Sequence, residues 1–317
     1  AYEIYQCDWS SDVCSSDLKP HPHGVDVETI RRMIVDTHYE IPTLDNSMIE
    51  KVRKELGLAK KNLGIPFTLV TDDATIEWMK TSNIWDKAND IFENIISTPR
   101  PETLNTRRLN DGNESKTIPF INADRASVWD LTPYDRTLLL DSDYLIFSDS
   151  LNNYWDVDES VLISKSMNDI RGDRIGFLDK HVSETGVHLF WATAVIFTKN
   201  EESKTFFDYV KHIRNNYEQY GDIYRFSPHQ YRNDISFSVS KHFLEGFTTD
   251  TSNALPSLLT TTDKDMLADI KGNKLYFLIN DPLNQESFTA CSIKDTDVHV
   301  MNKQSIVRNK NKLLELI

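Results

Sequence analysis

Residues 136–146 read RTLLLDSDYLI, an apolar run that ends in two carboxylates, Asp141 and Asp143, one residue apart. The run has the length and composition of a buried strand. In open α/β sheets, ligands bind beyond the carboxyl ends of the strands, so we expect a binding crevice beside these acids. Alternate side chains of an extended chain point to one face, which would let both carboxylates reach a single cation. The simpler alternative is that the two acids only end a strand and cap the next turn.

Helical and strand patterns alternate on either side of this stretch. Apolar residues recur at helical spacing over residues 49–63, and Asn200 can cap a helix that carries Glu201 in its first turn. Further strands are predicted at residues 65–70, 91–96, 118–121, 161–163, 175–177, 189–197, 275–279 and 298–301, with a C-terminal helix at 306–316. This alternation predicts an α/β protein with a mostly parallel, Rossmann-like central sheet and helices on both faces.

The first 18 residues differ from the rest of the chain. They are rich in Ser and Asp, lack a sustained period and contain two of the three cysteines. Residues 1–18 resemble translated sequencing-adapter read-through, and we exclude them from the fold prediction as a non-native segment. Residues 19–317 are then expected to form a single domain, which would lack the natural N-terminal strand of its sheet.

Composition limits the classes of partner. The formal net charge is −14 at pH 7 and no block of basic residues offsets it, so a nucleic-acid partner is not expected. The sequence contains no stretch long and apolar enough for a membrane span and no recognisable secretory signal, and we predict a cytoplasmic protein. Glycine is scarce, at 10 residues, and no glycine-rich phosphate loop is present, which disfavours Rossmann oxidoreductases and P-loop enzymes.

A resemblance to a known family rests on the segments that lead into the acids. Residues 120–125 (FINADR) and 129–137 (WDLTPYDRT), followed by the D-x-D acids, resemble the donor-site region of GT-A-fold nucleotide-sugar glycosyltransferases, notably their glycogenin-like and phage or metagenomic branches. The resemblance spans about residues 65–306. It implies a GT-A fold with a donor-binding half at about 60–150 and an acceptor half at about 151–317. The implied partners are a nucleotide-sugar donor, with UDP as the first choice of nucleotide, and an acceptor that is a glycan, a protein or a small molecule.

The resemblance also implies a metal centre. Family members complete the D-x-D site with a distant His that a Lys follows closely, and residues 297–303 (DVHVMNK) match that order. His299 would be the third protein ligand beside Asp141 and Asp143, and Lys303 would bind the diphosphate. An imidazole ligand favours Mn²⁺ over Mg²⁺. A purely structural His299 is the alternative.

The positions that would contact the donor lie in several segments. An early strand exit lines the base pocket in the resembled fold, and Arg125 matches a basic position near the donor's sugar or phosphates. A surface Arg125 paired with Asp124 or Asp130 is the alternative. The full set of implied donor contacts is Thr71, Asp72, Asn122, Arg125, Ser142 and Lys303.

The acceptor side is predicted from two patches. Trp191 lies in a segment that resembles the strand beneath the transferred sugar, where it could stack on a pyranose or simply belong to the core. Asn233 and Asp234 stand at the head of an apolar helical pattern, where either residue can serve as an N-cap. In the functional interpretation, Asp234 approaches the acceptor hydroxyl or the sugar and acts as general base if the enzyme inverts configuration.

Two other functions fit part of the pattern. A phosphatase of the haloacid-dehalogenase type also places D-x-D after an apolar strand and would use Asp141 as nucleophile with Mg²⁺. It needs a later pair of acids at a strand end, for which the sequence offers only Asp281 after residues 275–279. The second alternative is a non-catalytic protein that binds nucleotide sugars.

Overall fold

The structure is a computed structural model. It describes residues 5–7, 61–81, 85–90, 92–99, 106–111, 114–119, 125–172, 174, 176, 179–248, 254–284, 287–314 and 316.

The described residues form fifteen strands and eight α-helices. The strands are β1 (Tyr5–Cys7), β2 (Thr68–Asp72), β3 (Asn94–Thr98), β4 (Thr106–Asp111), β5 (Glu114–Pro119), β6 (Arg136–Leu140), β7 (Tyr144–Leu145), β8 (Val161–Ser164), β9 (Met167–Asp169), β10 (Trp191–Thr198), β11 (Leu258–Thr260), β12 (Met266–Lys271), β13 (Lys274–Asn280), β14 (Phe288–Lys294) and β15 (Val298–His299). The helices are α1 (Asp73–Thr81), α2 (Trp85–Asn89), α3 (Val128–Leu131), α4 (Glu201–Asn215), α5 (Tyr217–Tyr224), α6 (Asn233–Leu244), α7 (Lys303–Arg308) and α8 (Lys310–Leu314). Two 3₁₀ turns occupy Arg125–Ser127 and Ser150–Tyr154.

Strand β6, which leads into the two acids, belongs to a three-stranded antiparallel sheet in the order β6-β10-β8. Helices α4 and α6 cover it, and their phenylalanines pack edge to face with one another and with Phe197 of β10. The N-terminus of α4 has a capping box between Asn200 and Ser203, as its sequence predicts. This rigid, aromatic core fixes the end of β6, where Asp141 begins.

A second, four-stranded sheet has the order β7-β15-β11-β9 and brings the C-terminal part of the chain to the acids. Its β11 strand runs parallel to both β15 and β9, whereas β7 pairs antiparallel with β15. In this register His299 lies opposite Tyr144, the residue that follows Asp143 in the chain.

The remaining strands form smaller sheets. Strands β12, β13 and β14 are joined by short connections into an antiparallel meander, with β1 paired to its edge. Gly272, with φ of 55°, supplies the left-handed conformation that the tight β12–β13 turn requires. Strands β2 and β3 form a parallel pair, and β4 and β5 form an antiparallel hairpin.

The mixed α/β class is as predicted, but the mostly parallel sheet is not what the described strands form. Seven of their ten pairings are antiparallel. The prediction was wrong because it treated successive strands as βαβ units, whereas hairpin turns connect the late strands and β10 returns antiparallel to β6. No helix among the described residues is long and apolar enough to cross a membrane.

The predicted elements differ from the observed ones mainly at their ends. Residues 61–63 are helical, and the remainder of the predicted 49–63 helix lies outside the described residues. Of the predicted strand at 175–177, only Gly176 is described, and it is not in a strand. The C-terminal helix begins at Lys303 rather than at Ile306 and divides into α7 and α8.

Candidate functional site

The two acids occupy a turn between two sheets. Asp141 N–H donates to the Thr193 carbonyl of β10 at 2.9 Å, and the Asp143 carbonyl accepts from Val300 N–H at 2.8 Å. Tyr144 N–H donates to the Asp141 carbonyl at 3.2 Å, which closes the turn. The chain is therefore not extended between the two acids, because it must change direction to pass from the β6 sheet to the β7 sheet.

The turn nevertheless brings both carboxylates to His299. Ligand atoms of Asp141, Asp143 and His299 all lie within 4.8 Å of one another, and His299 Nε2 is 3.3 Å from Asp143 Oδ1. Asp143 and His299 are buried, while the Asp141 side chain keeps 23% of its surface exposed. The site is thus partly enclosed and remains open on the Asp141 side.

Two cations of the chain contact these acids. Lys303, the first residue of α7, places Nζ 2.6 Å from Asp143 Oδ2. Arg125, at the start of the 3₁₀ turn that precedes α3, places Nη1 2.7 Å from Asp141 Oδ1. Arg125 is buried and pairs with Asp141, whereas Asp130, one partner of the alternative considered from the sequence, pairs with Lys211, and Asp124, the other, lies outside the described residues.

His299 is held on both sides. Its Nδ1 lies 3.5 Å from Thr260 Oγ1 on the neighbouring strand, while Nε2 faces Asp143. Burial disfavours the charged imidazole, but the Asp143 carboxylate and, more weakly, Asp141 outweigh burial and hold the pKa of His299 above its ordinary value. The Asp143 carboxylate therefore faces the ring, and the acids favour its protonated form.

The donor set suits a divalent cation. Two carboxylates and an imidazole can ligate Mn²⁺, and Mg²⁺ is served by the carboxylates alone with water and phosphate oxygens. The ligand atoms lie within 4.8 Å of one another, which is compatible with bonds of about 2.1 Å to one shared ion. These residues fit a single ion that substrate oxygens would complete.

The predicted acceptor residues lie around the start of β10, the strand that also binds the backbone of Asp141. Asp234 Oδ1 accepts from Ala192 N–H at 2.9 Å, one residue before Thr193, whose carbonyl holds Asp141. The N-cap position of α6 is Arg232, whose side chain makes no cap bond, so neither Asn233 nor Asp234 is the N-cap. The Asp234 carboxylate is instead directed to the neighbouring strand.

Trp191 and Asn233 are both buried beside Asp234. The Trp191 ring is 7% exposed, packs in a hydrophobic core and carries the Arg232 guanidinium 5.6 Å from its centroid. Arg232 Nη2 also lies 3.3 Å from Asp234 Oδ2. This environment favours the core interpretation of Trp191, in which its ring supports Arg232 and Asp234.

The predicted nucleotide contacts are less concentrated. Asp72 Oδ1 accepts from Thr75 N–H at 2.9 Å, at the start of α1, and Thr71 lies one residue earlier in β2. Within the described part of the chain, neither residue hydrogen-bonds to the acids. Ser142 is half-buried between the two acids, and Asn122 lies outside the described residues.

Sequence reasoning missed two residues that shape the site. The buried Asp297 carboxylate accepts from Phe147 N–H and Ser148 N–H, each at 2.7 Å, and so ties β15 to the segment after β7. Its position two residues before His299, directly before β15, was a usable signal. Arg232 could have been noticed as the basic neighbour of the Asn233-Asp234 pair, but nothing in the sequence links it to Trp191.

Comparison with known proteins adds no relative. The sequence matches no protein-family model, and a search of curated proteins finds no match. The functional interpretation therefore depends on the geometry of these residues.

Proposed function

We propose that the chain is a metal-dependent glycosyltransferase that moves a sugar from a nucleotide-diphosphate donor, with UDP as the first candidate nucleotide, to an acceptor hydroxyl. The observation that carries the proposal is the approach of His299 and Lys303 to Asp141 and Asp143 from about half the chain away. A pair of carboxylates, an imidazole and an ammonium group at one strand end match the needs of a cation bound to a diphosphate.

Asp141, Asp143 and His299 would hold Mn²⁺ or Mg²⁺ in this proposal. When bound, the ion supplies Lewis-acid stabilisation of the charge that develops on the departing nucleoside diphosphate. Lys303 would contribute a further positive charge to the phosphates. The residues of the chain would thus favour the leaving group, which acquires its negative charge only as the bond to the sugar breaks.

Arg125 supports an anionic ligand independently of the metal. Its Nη1 binds Asp141, whereas its buried Nη2 has no hydrogen-bond partner within the described residues. A buried guanidinium nitrogen without an acceptor is costly, and a phosphate or sugar oxygen of the donor would satisfy it. We therefore assign Arg125 to donor binding.

Asp234 is the residue that we assign to the acceptor side. The chain from Ala192 to Thr193 joins the Asp234 carboxylate to the backbone of Asp141 through two hydrogen bonds. In this proposal the positioned Asp234 carboxylate would orient an acceptor hydroxyl or the transferred sugar. Arg232 and Trp191 would fix its position rather than contact the sugar.

The composition of the site favours transfer over phosphatase chemistry. A haloacid-dehalogenase phosphatase would need further carboxylates beside Asp141, whereas the third group here is the His299 imidazole. Asp281, the one later acid that the sequence offered, pairs with Arg171 at 3.4 Å. One oxygen of the Asp141 carboxylate, Oδ1, is also engaged by Arg125.

The test is a panel of nucleotide sugars incubated with the protein and Mn²⁺, with release of nucleoside diphosphate as the readout. We expect metal-dependent release from at least one donor and its loss in Asp143→Asn. Asp208→Asn, which changes an acid of a surface ion pair on α4, is the matched control and should behave as wild type.

Two outcomes would contradict the proposal. Phosphate release from a phosphomonoester through a phospho-Asp141 intermediate would support the phosphatase. Metal-dependent binding of nucleotide sugars without any turnover, across the panel and with added acceptors, would support the binding protein.

A further inference from the structure

Each acid of the site already carries a cation supplied by the chain. Arg125 lies 2.7 Å from Asp141, and Lys303 lies 2.6 Å from Asp143. The formal charges of these four side chains cancel. A divalent ion approaching the site alone therefore meets two carboxylates whose attraction is offset by two positive groups at hydrogen-bonding distance.

The two cations differ in how firmly they are held. The Arg125 side chain is 6% exposed, and its neighbour Ala126 is part of the core, so its guanidinium is fixed in place. The Lys303 side chain is 18% exposed and flexible, with one ammonium group on a four-carbon stem. It also begins a helix, and the positive potential of a helix N-terminus disfavours a cation there.

The atom that Lys303 contacts is one that a metal ion needs. Lys303 Nζ binds Asp143 Oδ2, while His299 Nε2 faces Oδ1 of the same carboxylate. An ammonium group and a divalent ion cannot both lie against this buried carboxylate without strong mutual repulsion. Lys303 must leave Asp143 for the ion to bind well, and it then needs another anion.

We propose that Lys303 is an exchangeable cation that couples the binding of the divalent ion to the binding of a diphosphate. Lys303 leaves Asp143 Oδ2 when the ion binds and transfers its charge to the diphosphate oxygens. Ion and diphosphate then bind more tightly together than either does alone, and the coupling is reciprocal. This inference rests on the proposed function, since it assumes that the three ligand residues hold a metal ion.

The test measures Mn²⁺ binding by the electron paramagnetic resonance signal of the free ion, with and without inorganic pyrophosphate. Pyrophosphate makes the result independent of the nucleotide, and a protein-free titration corrects for the Mn²⁺–pyrophosphate complex. In wild type, pyrophosphate should tighten Mn²⁺ binding by about 5- to 150-fold, the usual range of coupling between sites.

Lys303→Met is the decisive variant. It should bind Mn²⁺ alone at least about 5-fold more tightly than wild type and should lose most of the effect of pyrophosphate. Lys303→Arg retains the charge and should bind Mn²⁺ alone no more tightly than wild type. Lys204→Met, which removes a lysine at 2.8 Å from Asp208 on the surface of α4, is the matched control. Lys303→Gln is the second neutral variant if Lys303→Met does not fold by circular dichroism.

Failure of this inference can be distinguished from failure of the proposed function. If wild type binds Mn²⁺ through Asp143 but a folded neutral Lys303 variant binds the ion alone no more tightly, only the exchange is overturned. Full coupling to pyrophosphate in that variant would overturn it as well. If wild type and Asp143→Asn are alike in binding no Mn²⁺, the metal centre itself is refuted and the exchange with it.

Discussion

Two groups of acids lie at the same end of the mixed sheet, and they differ in how their charges are balanced. Thr260 of β11 pairs with His299 on one side and with Asp169 on the other. Beyond His299 lie Asp141 and Asp143, each with its own cation at a single contact. Asp169 instead shares Arg174 with a second acid, Asp265.

Arg174, Asp169 and Asp265 form the second group, which we call the Arg174 group, and the hydrogen bonds between them saturate the guanidinium. Arg174 forms two hydrogen bonds to each carboxylate, at 2.6 and 2.8 Å to Asp169 and at 2.8 Å twice to Asp265. Asp265 also accepts from Thr262 N–H and Asn280 N–H, which joins the mixed sheet to the β12–β14 meander. Burial lowers the pKa of Arg174, but the two carboxylates outweigh burial and raise it above its ordinary value.

The difference teaches which buried acids can serve a ligand. A planar guanidinium that binds two carboxylates in bidentate fashion leaves no coordination position and is expensive to displace. A single ion pair to a lysine or to one arginine nitrogen is easier to exchange for an incoming group. The comparison therefore predicts that substitutions in the Arg174 group alter stability, whereas those at Asp141 and Asp143 alter function.

The largest expected effect separates Asp141→Asn from Asp169→Asn. Asp141→Asn removes a charged ligand group, and donor turnover should fall about 10³-fold, the equivalent of several kcal/mol of leaving-group stabilisation. Its free energy of unfolding should change by only about 1 kcal/mol, because the Asp141 side chain is partly exposed. Asp169→Asn should instead lower the free energy of unfolding strongly and leave donor turnover per folded molecule nearly unchanged. Turnover per folded molecule and urea unfolding measure the two effects, and equal loss of stability in both variants would remove the distinction.

The next-largest effect is the difference in stability between substitutions of Arg174 and of Arg125. Arg174→Met leaves two buried carboxylates without their partner and should destabilise the chain by about 3–5 kcal/mol. Arg125→Met leaves Asp141 with access to solvent and should cost about 1 kcal/mol, close to a weak ion pair. Chemical denaturation monitored by tryptophan fluorescence gives both values. An equal or larger loss for Arg125→Met would contradict the distinction between the two groups of acids.

The comparison also shows what the sequence could predict. The D-x-D acids, His299, Lys303 and Arg125 were identified because each stands out locally as a charged or polar group beside an apolar run or within a recognisable segment. The Arg174 group was not predicted, since Asp169, Arg174 and Asp265 carry no local signal and meet only when β9 and β11 pair. Strand positions followed apolar patterns well, whereas pairing direction did not, because antiparallel partners are chosen by turns and tertiary packing.

A smaller effect is expected at Asp297, which connects the two halves of the site. Its carboxylate accepts from Ser148 Oγ at 3.0 Å and Ser150 Oγ at 3.2 Å, besides the two backbone groups. Asp297→Asn replaces one acceptor oxygen by a donor and should cost about 2 kcal/mol of stability. Mn²⁺ binding should weaken as well, because β15 carries His299. Asp295→Asn, at an exposed surface pair, is the control and should change neither quantity; unchanged stability in Asp297→Asn would refute its role.

The smallest effect concerns a histidine that, unlike His299, does not face an acid of the site. His188 contacts the Lys165 carbonyl, and burial lowers its pKa below the ordinary value of 6.5. The unfolded chain then binds more protons than the folded chain as the pH falls through 6.5, so acidification should weaken the fold. The free energy of unfolding should drop less between pH 7.5 and 5.5 in His188→Gln than in wild type, while the exposed His229→Gln should follow wild type. An identical drop in all three proteins would mean that burial does not disfavour the charged form of His188. Proximity to carboxylates would then not explain why the pKa values of His188 and His299 differ.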